Sequence, residues 1–410
     1  MNFEYFVVKR LISAKKYKSS ISAPIIKIAI SAIAIGVIMM LISFATGLGL
    51  QKKIRDKIAA FNGHIMVSNY DNNSSKVSLS PVSTDQQFYP EFKGVEGVTH
   101  IQAVATTFGV IRTAEDFEGI IVKGLGADFD WSYFEEFLVE GRLPDFMNKL
   151  NDEVLISEYL ANRLQLKVGD KVPTYFIRDE SDRPLVRGFV ITGIYDSGFA
   201  EFDQLYLLAD IRHIQRINNW DENEVGNFEI FIDNFDEIDE MGNQVYENTG
   251  SFLDAQTIRQ KYYTIFEWLS LFDFNIALII GIMILVAGIN MITALLVLIL
   301  ERTQMIGILK ALGSADWSIR KIFLYNAAYL IVLGLFWGNL IGIGLLLIQK
   351  YFKLFPLDPR TYYVTEVPIY LNWDYILAVN MGTLLLCLLM LLIPTLIISK
   401  ISPVRAIKFE

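Results

Sequence analysis

Residues able to do chemistry are few in this chain and far apart. His64, His100 and His213 share no His-Glu-x-x-His or comparable ligand spacing, so no histidine-bound metal is expected. The one cysteine, Cys387, sits inside an apolar run, which excludes an internal disulfide and a cysteine-based cluster. It reads as a small core- or lipid-facing side chain. No Gly-x-x-x-x-Gly-Lys-Ser/Thr phosphate loop is present, so ATP hydrolysis by that route must lie elsewhere. A Gly-x-Ser-x-Gly nucleophile elbow is also missing. The long apolar stretches enclose no Asp, Glu, Lys or Arg of the kind that relays protons or ions. Movement or binding remains, an ion-driven pump is disfavoured, and energy must come from outside the chain. One segment is suited to receive it, since Glu301 to Gly313 reads as a short helix with an apolar stripe at Met305, Ile308, Leu309 and Leu312. Glu301, Arg302 and Lys310 flank the stripe, and Gly313 stops the helix. Such a helix can lie on lipid or be gripped by a partner's groove.

The elements that position this segment follow from composition. The chain is 53% hydrophobic and only 20% charged, too oily for a purely soluble protein of 410 residues. Four uncharged stretches, 28–51, 274–300, 322–349 and 375–399, each exceed the roughly 20 helical residues that cross a bilayer. In hydrocarbon an unpaired peptide group has no water to turn to, so these stretches should be helices. The first is expected to be a retained anchor, because its uncharged run is too long for the apolar part of a cleaved leader. Lys9, Arg10, Lys15, Lys16, Lys18 and Lys27 precede it. Arg302, Lys310, Arg320 and Lys321 lie between the second and third stretches, and Lys400, Arg405 and Lys408 follow the fourth. Basic residues in short flanking loops stay on the cytoplasmic side, so both termini and the middle loop are expected inside an inner membrane. The acidic segment, with 20 Lys and Arg against 37 Asp and Glu over residues 49–271, is then outside.

This yields a division into a cytoplasmic interfacial helix (1–20), a first membrane helix (21–51), an extracytoplasmic domain (52–272) and a second membrane helix (273–300). A cytoplasmic helix and loop (301–321), a third membrane helix (322–349), an outer loop (350–374), a fourth membrane helix (375–399) and a cytoplasmic tail (400–410) complete it. Gly334, Gly338 and Gly342 repeat every four residues and make a small-residue face for close helix contact. The outer domain reads as mixed α/β. His64–Ser68, Gly119–Lys123 and Phe228–Asp233 have strand character, and 152–166 and 247–271 are expected to be helices. Two β-rich runs between Thr174 and Gly193 flank a charged tip, 178–184, as a hairpin.

Glu301-Arg302 leading into Ile306-Gly-Ile-Leu-Lys-Ala-Leu-Gly313 resembles the signature of the FtsX-like ABC permease superfamily. Ile33-Ala-Ile-Gly-Val37, Gly47-Leu-Gly49, Gly63-His-Ile-Met-Val67 and Leu166-Lys-Val-Gly-Asp170 extend the likeness. So do Val367-Pro-Ile-Tyr-Leu371, Ile393-Pro394 and the ending from Ser402 to Glu410. Together they are most similar to the lipoprotein-releasing LolC/LolE permeases. The resemblance implies an integral membrane α-helical fold of four transmembrane helices, of the MacB/LolCDE type, with a mixed α/β extracytoplasmic domain. It makes Glu301, Arg302, Met305, Ile306, Gly307, Leu309, Lys310, Leu312 and Gly313 the segment that docks on a LolD-like ABC ATPase dimer. ATP and Mg would be held there, with no cofactor in this chain. It implies a second permease protomer, identical or not, a lipoprotein cargo, a LolA-like periplasmic carrier and no nucleic acid. Cargo entering between the first and second helices would meet lipid-lining residues Met39, Met40, Phe44, Ile282, Leu285 and Ile289. A carrier-docking hairpin would use Arg178, Asp179, Arg183 and Pro184, although the Pro-rich length of hook-bearing relatives is missing. Other uses of the plan are a MacB-like exporter of peptides or drugs and a permease that regulates a cell-wall hydrolase.

Overall fold

The computed structural model describes residues 3–13, 22–147, 149–178 and 181–403. In chain order the helices that matter are α1 (Phe3–Ser13), α2 (Ser22–Asn62), α3 (Glu158–Leu164), α4 (Ile211–Asn218) and α5 (Ile238–Asn248). They continue with α6 (Tyr263–Glu301), α7 (Thr303–Ala311), α8 (Asp316–Phe352), α9 (Trp373–Thr395) and α10 (Ile397–Lys400). The chain divides into two compact units. A helical unit holds the residues up to Leu50, Leu269–Pro356 and those from Val367 on. An α/β unit holds Gln51–Trp268 and Leu357–Glu366.

In the helical unit, four helices are long and apolar enough to cross a membrane: Pro24–Asn62, Tyr263–Glu301, Asp316–Phe352 and Trp373–Lys400. They overrun the uncharged stretches, because a helix propagates through Lys and Arg as readily as through Leu and does not stop where charge begins. α8 lies tightly on α2. A Cβ on Gly334 would stand 2.7 Å from the Ile33 side chain, one on Gly338 2.8 Å from Val37, and one on Gly342 3.2 Å from Leu41. Both partners thus step in fours, so three glycines accept three branched or bulky side chains in one register. Asn339 and Asn380 join α8 to α9 with reciprocal amide hydrogen bonds of 2.6 and 3.0 Å, and each amide also donates to the carbonyl four residues back in its own helix, at 2.7 Å. Cys387 is buried among the same core side chains as Met291, Leu295 and Leu330. Gly49 leaves room for the carbonyl of Pro368, and Tyr370 N donates to Ala45 O at 3.0 Å, which seats the 367–371 segment on α2.

The strands of the ten-stranded sheet in the α/β unit are β1 (Ile65–Asn69), β2 (Val98–Arg112), β3 (Phe117–Leu125), β4 (Leu138–Gly141) and β5 (Glu153–Ser157). They are followed by β6 (Lys171–Arg178), β7 (Ser181–Tyr195), β8 (Tyr206–Asp210), β9 (Asn227–Ile232) and β10 (Leu253–Thr257). Six of them close a ring of pairings, β2-β3-β8-β5-β7-β6 and back to β2, through Val110↔Tyr175 and Ile111↔Thr174. The first half of β2 instead carries β9, β1 and β10 as an open flank. Phe176 and Phe189, both fully buried, meet edge to face within the ring.

Two expected helices are corrected here. Residues 152–166 begin as strand β5, because Val154, Leu155 and Ile156 are all buried between β7 and β8, and helix starts only where Ser157 Oγ accepts from Leu160 N at 3.1 Å. Residues 247–271 contain β10, which pairs antiparallel to β1. A capping box at Thr257 and Gln260 opens the helical turn after it, and α6 begins at Tyr263. Sheet pairing, which is non-local, overrides local helical pattern in both places. The outer loop expected at 350–374 also divides. Its part Leu357–Glu366 belongs to the α/β unit, where Lys57 Nζ donates to Tyr363 O at 3.1 Å and the Tyr363 ring stacks on Phe199 at 4.6 Å.

A buried ion pair organises the open flank. Lys123 Nζ donates to Glu229 Oε1 and to Phe61 O, each at 2.7 Å, and Gln102 Nε2 donates to Glu229 Oε2 at 2.8 Å. The ammonium thereby satisfies a carbonyl in the last turn of α2 that the helix itself leaves open. Nearby, His64 Nδ1 accepts from Ile232 N at 3.0 Å, which requires that nitrogen to be unprotonated. Burial pushes its pKa down from 6.5 to about 4, with the Arg55 charge adding to the effect.

Gly338→Leu should destabilise the detergent-solubilised protein by about 1–3 kcal/mol through overpacking against Val37. Gly344→Leu, where an added Cβ meets nothing within 4 Å, should leave the thermal unfolding midpoint nearly unchanged. For His64, the unfolded chain takes up a proton at a higher pH than the fold does. Stability is therefore complete above pH 6.5 and is lost as pH falls from about 6.5 to about 4, by at most about 3 kcal/mol. Asp203, raised to about 6 by burial, works in the opposite sense, so the measurement is the difference between wild type and His64→Gln. His64→Gln should flatten the acid limb of a thermal-midpoint profile, and an unchanged limb would remove His64 as its source.

Candidate functional site

The site begins where α6 ends. Arg302 leaves helical geometry at φ −102 and ψ 17, and α7 restarts at Thr303, whose hydroxyl donates back to Leu300 O at 2.7 Å. At the other end Ser314 N donates to Leu309 O and Gly313 N to Lys310 O, both at 3.0 Å. These two bonds make a Schellman turn, and Gly313 supplies its left-handed residue at φ +88. The result is a rod of two and a half turns with defined ends.

Its residues divide by face. Ile306 and Gly307 are buried, and Met305 and Leu309 pack against the core of the helical unit. Gln304, Ile308, Ala311 and Leu312 share the opposite, exposed face, with Ile308 at 47% and Leu312 at 79%. The stripe expected at Met305, Ile308, Leu309 and Leu312 is therefore two stripes, one holding the rod to the bundle and one open. Met305, Ile306, Gly307 and Leu309 face the chain's own core, because an apolar side chain on a short rod gains more from burial than from exposure. Glu301 and Gly313 are exposed and Arg302 is half-buried. Lys310 is likewise turned into the chain. It is nearly buried, and its ammonium is taken up within the chain by Asp316, Ser399 O and Ile401 O. Trp317, which the sequence reading did not single out, is exposed in the first turn of α8, five positions after Leu312. A bulky aromatic beside an N-terminal Asp was its only signal.

The expected lipid-lining residues also separate. Met39, Ile282, Leu285 and Ile289 are exposed, whereas Met40 is fully buried in the core of the helical unit. Met39 and Met40 are consecutive and stand about 100° apart around α2, which puts Met40 on the face that packs into the core and leaves Met39 off it. Phe44 is half-buried and stacks on Tyr375 with ring centroids 5.5 Å apart. On α6 the exposed set also takes in Phe274 and Leu278, making a stripe that steps by fours and threes from Phe274 to Ile289.

The hairpin is present. β6 and β7 pair antiparallel from Lys171↔Val190 to Arg178↔Ser181. Asp179 lies outside the described residues, as does the side chain of Arg178. Arg183 and Pro184 are not in the tip as expected but in β7, exposed, because pairing runs on to Ser181. Ile177, 83% exposed, lies next to them in the hairpin. Among the described residues no group of three or more His, Cys, Asp or Glu is placed to hold a metal ion.

Residues 28–244 match the family described as the MacB-like periplasmic core domain, and residues 277–403 match the FtsX-like permease C-terminal family. The chain is similar to the lipoprotein-releasing system transmembrane protein LolC of Xylella fastidiosa (strain 9a5c), 20% identical over 98% of this chain and 97% of the other. A second similar protein is the LolC of Buchnera aphidicola subsp. Schizaphis graminum, 23% identical over 94% of each. Among solved structures, the periplasmic region of MacB from Actinobacillus actinomycetemcomitans aligns with 49% of this chain and 91% of its own, at 12% identity and a TM-score of 0.34.

Proposed function

The chain belongs to the ABC permease family that joins a MacB-like periplasmic core domain to an FtsX-like C-terminal domain, and on that premise we propose that it releases lipoproteins from the inner membrane. ATP hydrolysis in a partner subunit drives the release. The observation that carries the reading is α7, anchored by Met305, Ile306 and Leu309 while Ile308 and Leu312 stay open. A contiguous exposed apolar face on a short rod marks an interaction site more strongly than isolated exposed residues do. The docking face is thus Ile308 and Leu312 with Trp317 at its margin, met by an ABC ATPase dimer that holds ATP and Mg.

Support for lipoprotein cargo comes from the names of the similar proteins and from the exposed stripe Phe274–Ile289 on α6. Acyl chains resist leaving lipid by about 0.8 kcal/mol per CH₂, so an external energy source is needed to extract them. A second protomer, the same or different, would complete the chamber, with Met39, Ile282, Leu285 and Ile289 lining it. Basic residues flanking the helices support cytoplasmic termini and a periplasmic α/β unit. The hairpin Lys171–Tyr195 is the part of that unit suited to meet a periplasmic carrier.

Leu312→Glu should weaken co-purification of the ATPase with this chain in nanodiscs by about 30-fold or more, the loss typical of a central apolar anchor. Depleting the chain should leave lipoproteins in the inner membrane. Unimpaired assembly of Leu312→Glu would remove the docking face, and normal lipoprotein release after depletion would remove the cargo assignment.

A further inference from the structure

Lys310 occupies an unusual place for a residue in a docking helix. Its side chain is 10% exposed, and an ammonium has three N–H donors. Asp316 Oδ1 takes one at 2.9 Å, Ile401 O one at 3.1 Å and Ser399 O one at 3.3 Å. No donor is left for another subunit, and the Asp316 carboxylate offsets the charge. The three acceptors come from two other pieces of chain: Asp316 opens α8, and the two carbonyls lie at the end of α10, where the helix leaves its own carbonyls open. A fourth piece joins the same end of α8, since Ser318 Oγ donates to Glu4 Oε1 of α1 at 2.8 Å.

We infer that Lys310 is a positioning residue that locks α7, the first turn of α8 and the end of α10 into one body, so that a push on α7 moves all three together. This rests on the docking reading above. A rod held only by the apolar contacts of Met305, Ile306 and Leu309 could roll, because such contacts are non-directional. Three directed hydrogen bonds from one ammonium fix its rotation, and with it the angle at which Ile308 and Leu312 are offered.

The test uses the complete permease–ATPase complex in nanodiscs with Lys310→Ala, Lys310→Arg and Leu312→Glu, and reads assembly, permease-dependent ATP hydrolysis and tryptic cleavage after Lys400. For Lys310→Ala, assembly should stay within about twofold of wild type, since the residue lies outside the contact face. ATP hydrolysis coupled to the permease should fall by about tenfold, and cleavage after Lys400 should quicken as α10 comes loose. Lys310→Arg, which keeps several donors, should restore both. Loss of assembly to the extent seen with Leu312→Glu would make Lys310 a contact residue and overturn the inference, as would unchanged cleavage after Lys400. Should the wild-type chain hold no ATPase at all, the docking reading fails. The cleavage comparison still decides the clamp, faster cut supporting it and unchanged cut overturning it.

Discussion

Hydrocarbon offers a peptide group nothing to bond with, and that constraint shapes the helical unit before any specific contact does. It forces the apolar stretches into helices and at the same time removes the usual reason for helices to associate, since lipid is as apolar as leucine. The force holding α2 against α8 must then come from close fit. Gly334, Gly338 and Gly342 provide it by letting Ile33, Val37 and Leu41 reach the opposing backbone. The reciprocal Asn339–Asn380 amide pair adds a directed contact where the dispersion contacts of the bundle supply none.

On the docking reading proposed above, α7 has to satisfy two opposed demands: fixed, or a force applied to it would be spent in rolling, and open, or nothing could apply the force. The helix meets both by facing Ile306 and Leu309 inward, leaving Ile308 and Leu312 outward, and closing with the Gly313 Schellman turn. Similar economy governs the end of α2, where Phe61 O, left unbonded by the helix, is met by the buried Lys123–Glu229 pair. A buried charge pair of this kind is tolerated because Phe61 O accepts a second hydrogen bond from the ammonium and Gln102 donates one to the other carboxylate oxygen.

Much of this was legible in the residues themselves. Uncharged runs of sufficient length announced the four helices, four-residue glycine spacing announced a close helix contact, and the charged turn between β-rich runs announced the β6–β7 hairpin. Local pattern misled where pairing was distant. Val154 to Ile156 looked continuous with the helical residues 158–164, and the 253–257 segment looked like part of a returning helix. Both became strands because β7, β8 and β1, remote in the chain, offered them edges.

The sequence by itself determined the class of the protein, the number of its apolar helices and the short amphipathic rod after the second of them. These depend on composition and on the 3.6-residue period, which are local quantities. Only the tertiary structure decided which way each rod residue points, that Met40 turns inward while Met39 does not, and that Lys310 is spent on Asp316, Ser399 and Ile401 within its own chain. A side chain's role in such a helix depends on which neighbour arrives to cover it, and folding brings some of those neighbours, Ser399 and Ile401 among them, from far along the chain.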